Sequence, residues 1–120
     1  MTDTPTVRSL HNKAMEIAQD AYIDAQRGAT TELLQARYRK ALDYERTALA
    51  LVPIGLVSEP TRSILCLSAG SLAMQAGLYD EAARVLNEGI GGSPSPRARS
   101  DLNNVLFHVR AKQRAEDGTS

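Results

Sequence analysis

The chain predicts an all-α fold of five helices: two antiparallel helical hairpins followed by a C-terminal capping helix. Three observations carry this. Apolar residues recur at spacings of three and four along most of the chain, and no alternating run of strand formers occurs. Glycine and proline punctuate that pattern at Gly28, Pro53, Gly77 and the Gly91-Gly92-Ser93-Pro94 stretch. The composition holds 17 Ala, four Tyr, one Phe and no Trp. Ala favours helix and lets helix axes approach closely, so a core built on it belongs to tightly packed helices. The length of 120 residues suits one domain, 1–120, able to bury a core without disulfides or metal.

The first helix is expected from about Pro5 to Arg27. Val7, Leu10, Ala14, Ile17, Ala21 and Ala25 share one face, Thr4 offers an N-cap with Pro5 behind it, and Gly28 offers a left-handed stop. The second runs from about Thr31 to Val52 and is ended by Pro53. Its stripe of Leu34, Tyr38, Ala41, Leu42, Ala48, Leu49 and Val52 is interrupted by Glu45. The short link between these helices folds them back as a hairpin, residues 5–52. Residues 53–58 form the longest apolar loop. Ser58 is a candidate cap for a third helix over Glu59–Ala76, with Pro60 in its first turn. Gly77 closes that helix, and a fourth spans Tyr79–Ile90. Ser95 caps a fifth, from Pro96 to about Arg114, whose Ala98, Leu102, Val105, Leu106 and Val109 lie within about 100° of arc. Residues 115–120 read as a polar, flexible tail.

Charge excludes some functions. The 14 basic and 14 acidic residues cancel, and they do so in each half of the chain. Polyanion binders and membrane-surface proteins carry an excess of Lys and Arg, so nucleic acid and membrane are not expected partners. The single cysteine, Cys66, rules out an internal disulfide framework, and a cytoplasmic setting is expected. The first six residues are polar, with neither a secretory apolar segment nor a membrane-spanning run behind them.

Residues 59–94 hold small and large side chains in a fixed frame. Gly70, Gly77, Tyr79, Ala82, Leu86, Gly89 and Pro94 stand at the spacing of two helices crossing closely around Gly77. In this frame the stretch resembles a tetratricopeptide (TPR) repeat, with two departures. Cys66 stands where a large aromatic is common, and Ala73 where a Tyr is common. The resemblance implies a right-handed stack of hairpins, with residues 95–114 as the cap that covers the last repeat. In the first hairpin, Ala41, Ala48 and Pro53 match a second helix of the repeat. The inter-helix glycine, however, comes about eight residues early, roughly two helical turns. That hairpin is either an elongated repeat or an unrelated hairpin of similar packing. The whole chain also resembles a group of short bacterial proteins that share a Glu-Pro-Thr-Arg-Ser stretch, here Glu59–Ser63. That likeness implies no activity.

Catalytic and metal-binding patterns are few. His11 and His108 have no metal-ligand partner at helical spacing and read as surface histidines. Cys66 has Arg62 one turn before it but falls at a helix contact, where a packing thiol is expected. Asp80 and Glu81 complement the start of the fourth helix. Glu45 would pair with an Arg across the hairpin. Gly89–Gly92 lacks the Lys-Ser/Thr of a phosphate loop and reads as a helix stop. No catalytic residue, cofactor or metal is expected, and the chain is not expected to be an enzyme.

The expected function is a protein–protein interaction scaffold. The resemblance places a candidate interaction groove on the inner face of the third helix: Ile64, Leu67, Ser68, Ser71, Met74 and Gln75. None of these is basic or Asn, so the carboxylate clamp of some TPR proteins is not expected there. Such a neutral face would suit an apolar helix, a second copy as a homodimer, or the core itself. The alternative is a nucleic-acid-associated regulator. Arg99, Arg110 and Arg114 fall within about 40° of one another on the fifth helix and form a candidate anion contact.

Overall fold

The structure, a computed structural model, describes residues 4–118. Five α-helices follow one another: α1 (Val7–Gln26), α2 (Thr31–Ala50), α3 (Thr61–Gln75), α4 (Tyr79–Ile90) and α5 (Pro96–Glu116). A single 3-10 turn, Leu56–Ser58, lies between α2 and α3. No strand occurs among the described residues, so the all-α expectation holds. Each helix packs on its successor, and α5 packs on α3 as well. The molecule is a slab of 42 × 38 × 19 Å, its thin dimension that of two helix layers about 8–10 Å apart.

The helix ends follow local chemistry, and some differ from expectation. Thr6, not Thr4, caps α1: its hydroxyl accepts from the Ser9 N–H at 3.0 Å, and the Ser9 hydroxyl accepts from the Thr6 N–H at 2.9 Å. Pro5 therefore precedes the cap. Thr30 caps α2, its hydroxyl accepting from the Leu33 N–H at 3.2 Å. That helix stops at Ala50 rather than Val52, because a residue before proline is driven out of the helical region. Ser58 is absorbed by the 3-10 turn, so α3 starts at Thr61 instead of Glu59. The Glu59 side chain takes over the capping role: Oε1 accepts from the Ser63 N–H at 3.2 Å and from the Ser63 hydroxyl at 2.6 Å. Bounds for α4 and the start of α5 agree with expectation, and the Ser95 hydroxyl accepts from the Ala98 N–H at 3.1 Å. Helix α5 continues to Glu116, so the expected tail begins as helix; Thr119 and Ser120 lie outside the described residues.

Small residues set the packing. Ala14, Ala21, Ala41, Ala48, Ala69, Ala73 and Ala82 are all fully buried. Helices α3 and α4 approach closely at Gly70, where a Cβ would stand 2.5 Å from the Leu86 side chain. At Gly89 a Cβ would stand 2.8 Å from the Cys66 Cβ, so a small residue at 66 faces a close backbone. The central helix is α3, which packs on α2, α4 and α5. Its buried residues run from Arg62 to Ala73 and cover about half of its circumference. The first hairpin is the longer: α1 and α2 have 20 residues each, against 15 and 12 for α3 and α4.

Candidate functional site

The six candidate groove residues lie on one side of α3, but that side is not uniformly open. Leu67 and Met74 pack against the main core, and Ser68 and Ser71 are half-buried. The Ser71 hydroxyl donates back to the Leu67 carbonyl at 2.9 Å. Gln75 is exposed at one end, and Ile64 is 52% exposed at the other. The open apolar surface of this face is therefore its first turn.

That turn adjoins the α2–α3 loop, where the exposed aliphatics concentrate. Leu51 is 54% exposed, Ile54 73% and Leu56 77%, while Val57 is fully exposed. The sequence marks this loop as apolar. It does not say whether the side chains fold inward, and the structure turns them outward. The loop has little to pack against. Behind it, the start of α3 is occupied by polar links: Arg62 is buried and donates from Nη1 to the Glu88 carbonyl at 3.1 Å, tying α3 to the C-terminal turn of α4.

A second feature lies on the α1 side of α3. Glu45 is fully buried, but its partner is His11 rather than the expected Arg. Both carboxylate oxygens lie within reach of the imidazole Nδ1, at 3.0 and 2.8 Å. His11 and Glu45 stand equally far from Gly28 along the chain, so hairpin closure brings them opposite each other. That symmetry is the sequence signal that would have identified the pair. The His11 side chain is 29% exposed and lines a cleft of about 390 Å3 between α1 and α3. Val7, Ile64 and Leu65 form its apolar walls, with Arg8, Asn12 and Thr61 beside them.

The remaining candidates are dispersed. Arg99, Arg110 and Arg114 are exposed on α5, and Arg114 is engaged by a further interaction. His108 is exposed, its ring edge-on to Phe107 at 5.8 Å. Cys66 is buried, and desolvation pushes its thiol pKa up, outweighing the Coulombic pull of Arg62 in the opposite direction. Glu81 does more than complement a helix start: it accepts from Arg46 of α2 and from Arg84, bridging the two hairpins. Asp80 accepts from Gln113 Nε2 of α5 at 2.8 Å. Among the described residues no three His, Cys, Asp or Glu side chains gather as a metal site, and no helix is long and apolar enough to cross a membrane. Comparison of the chain with models of known families, with curated proteins and with solved structures found no match.

Proposed function

We propose that the chain is a TPR-like helical scaffold that binds another protein without catalysing a reaction, and that it docks through the apolar α2–α3 loop and Ile64. The observation that carries this reading is the outward display of Leu51, Ile54, Leu56 and Val57 on one loop. Single exposed aliphatics are common, but several on one short loop mark an interaction surface. Burying each such side chain on docking is worth about 1.5–3 kcal/mol, so a few of them supply a usable affinity once association costs are met. The TPR-like part of the reading is supported by the close approaches at Gly70 and Gly89, which need small residues at those positions of the frame. The docking site moves from the α3 face towards the loop because Leu67 and Met74 are committed to the core.

The test is a comparison of two baits in a native lysate: the parent chain, and the variant Ile54→Ser/Leu56→Ser/Val57→Ser. The three positions are exposed, so the variant keeps its fold by circular dichroism. A protein retained by the parent and lost by the variant supports the reading. Identical retention by both baits refutes it. Sedimentation of both at micromolar concentration shows whether the docked protein is a second copy.

A further inference from the structure

We propose that the cleft between α1 and α3 is the seat of an aromatic hydroxyl, the phenol of a tyrosine side chain carried by the docking partner. The inference rests on the docking role given above to Ile64 and names what the partner brings there. Ile64 is both exposed and part of the cleft wall, so a partner that covers Ile64 also meets the cleft. The cleft, about 390 Å3, is at the small end of the range for ligand sites and has ample room for an aromatic ring.

His11 supplies the recognition. With both Glu45 oxygens at hydrogen-bond distance, Nδ1 carries a proton and donates it to the carboxylate. This fixes the ring. Nε2 is its other polar atom, and it has no hydrogen-bond partner among the described residues. A hydroxyl suits Nε2 in either state of the ring, because it donates to a bare lone pair and accepts from an N–H. A carboxylate suits only the second, and brings another negative charge towards the buried Glu45. An ammonium group would meet Arg8. The charged groups around the ring are Glu45 from α2 and Arg8 from α1, while α3 presents only the uncharged Thr61, Ile64 and Leu65 to the cleft. Aliphatic walls and a guanidinium that can lie on an aromatic face favour a ring over an alkyl chain. A desolvated ring with its hydroxyl paired is the form in which tyrosine anchors an interface.

The probe is p-cresol, the tyrosine side chain cut at Cβ. It is titrated into the full chain and followed by the methyl resonances of Val7, Ile64 and Leu65. Toluene lacks the hydroxyl, and isovalerate offers a carboxylate of similar size. Saturable shifts with p-cresol, with toluene weaker by about tenfold for one lost hydrogen bond, are expected. Ile64→Ala weakens p-cresol binding, and the triple loop variant leaves it unchanged. The capped peptide acetyl-Leu-Leu-Tyr-Leu-amide binds the parent at least about tenfold more tightly than p-cresol, because its leucines reach the loop. That gain disappears in the triple variant. Absence of saturation, toluene equal to p-cresol, isovalerate tighter than p-cresol, or indifference to Ile64→Ala overturns the proposal. A peptide no tighter than p-cresol overturns the assignment to a partner's tyrosine. The docking reading is judged separately, by protein capture on the triple variant.

Discussion

Replacing His11 with Ala removes the side chain that, among the described residues, pairs with a carboxylate shielded from water. Glu45 is fully buried, and both of its oxygens bond to His11 Nδ1. No Lys or Arg lies within ion-pair distance of it among the described residues. Breaking a buried pair by deleting one partner costs about 3–5 kcal/mol, most of it the desolvation of the charge left behind. The His11 side chain is 29% exposed to the α1–α3 cleft, so the Ala variant admits water towards Glu45. The expected loss for His11→Ala is therefore lower, about 2–3 kcal/mol. With a urea m-value of about 1–3 kcal/mol/M, the unfolding midpoint falls by roughly 1–2 M. Glu45→Gln keeps the shape and removes the charge, and is expected to cost about 1 kcal/mol. The double variant His11→Leu/Glu45→Met removes both polar groups, and its stability returns to within about 1 kcal/mol of the parent. The chain lacks Trp, so far-UV circular dichroism against urea is the assay. A His11→Ala midpoint unchanged from the parent, or a double variant weaker than His11→Ala alone, would refute the account of Glu45 as a charge held only by this histidine.

Other perturbations follow from the packing. Gly70→Ala drives a methyl to 2.5 Å from the Leu86 side chain and is expected to cost about 1–3 kcal/mol, read as a drop in thermal midpoint; an unchanged midpoint contradicts the close approach of α3 and α4. Ser95→Ala removes the acceptor for the Ala98 N–H at the start of α5 and should cost about 1 kcal/mol, whereas Ser100→Ala, at an exposed position in the same helix, should be near neutral. Burial raises the Cys66 pKa, so at any pH near neutrality its thiolate fraction lies below that of an ordinary thiol. Native protein should resist a thiol-specific reagent at pH 8 and react only in denaturant; prompt native-state labelling would show that the thiol is accessible.

How legible each feature was depends on the range of the interaction that fixes it. Ser95-Pro96 and Gly77 act within one turn, and the structure starts α5 and breaks α3 from α4 where those residues stand. The start of α3, two residues later than expected, has a related cause. Pro60 fits several places at a helix entrance, and the choice fell to Glu59, whose side chain reaches forward to Ser63. No propensity for Glu encodes that geometry. Glu45 was conspicuous because it broke an apolar stripe, but its partner depended on where the hairpin turn closes. The register set by Gly28 selected His11, and Arg37 nearer the turn pairs with Asp24 at 2.9 Å instead.

The candidate groove was the least legible feature, because its exposure depends on how many neighbours α3 has. A helix with two neighbours keeps one face open. Here α3 has α2, α4 and α5 around it; its fully buried residues take about half of the circumference, and four of the six groove residues on the other half are partly buried. Leu67 and Met74, on the other side, are partly buried and pack against the core. Two hairpins and a cap offer few faces for burial, and part of the inner face of α3 is used for it. The apolar side chains available for binding are those that no helix could cover: the short loop that joins the hairpins, and the first turn of α3 beside it. On this account docking and core stability are separable, since Ile54, Leu56 and Val57 contribute to one and Leu67 and Met74 to the other.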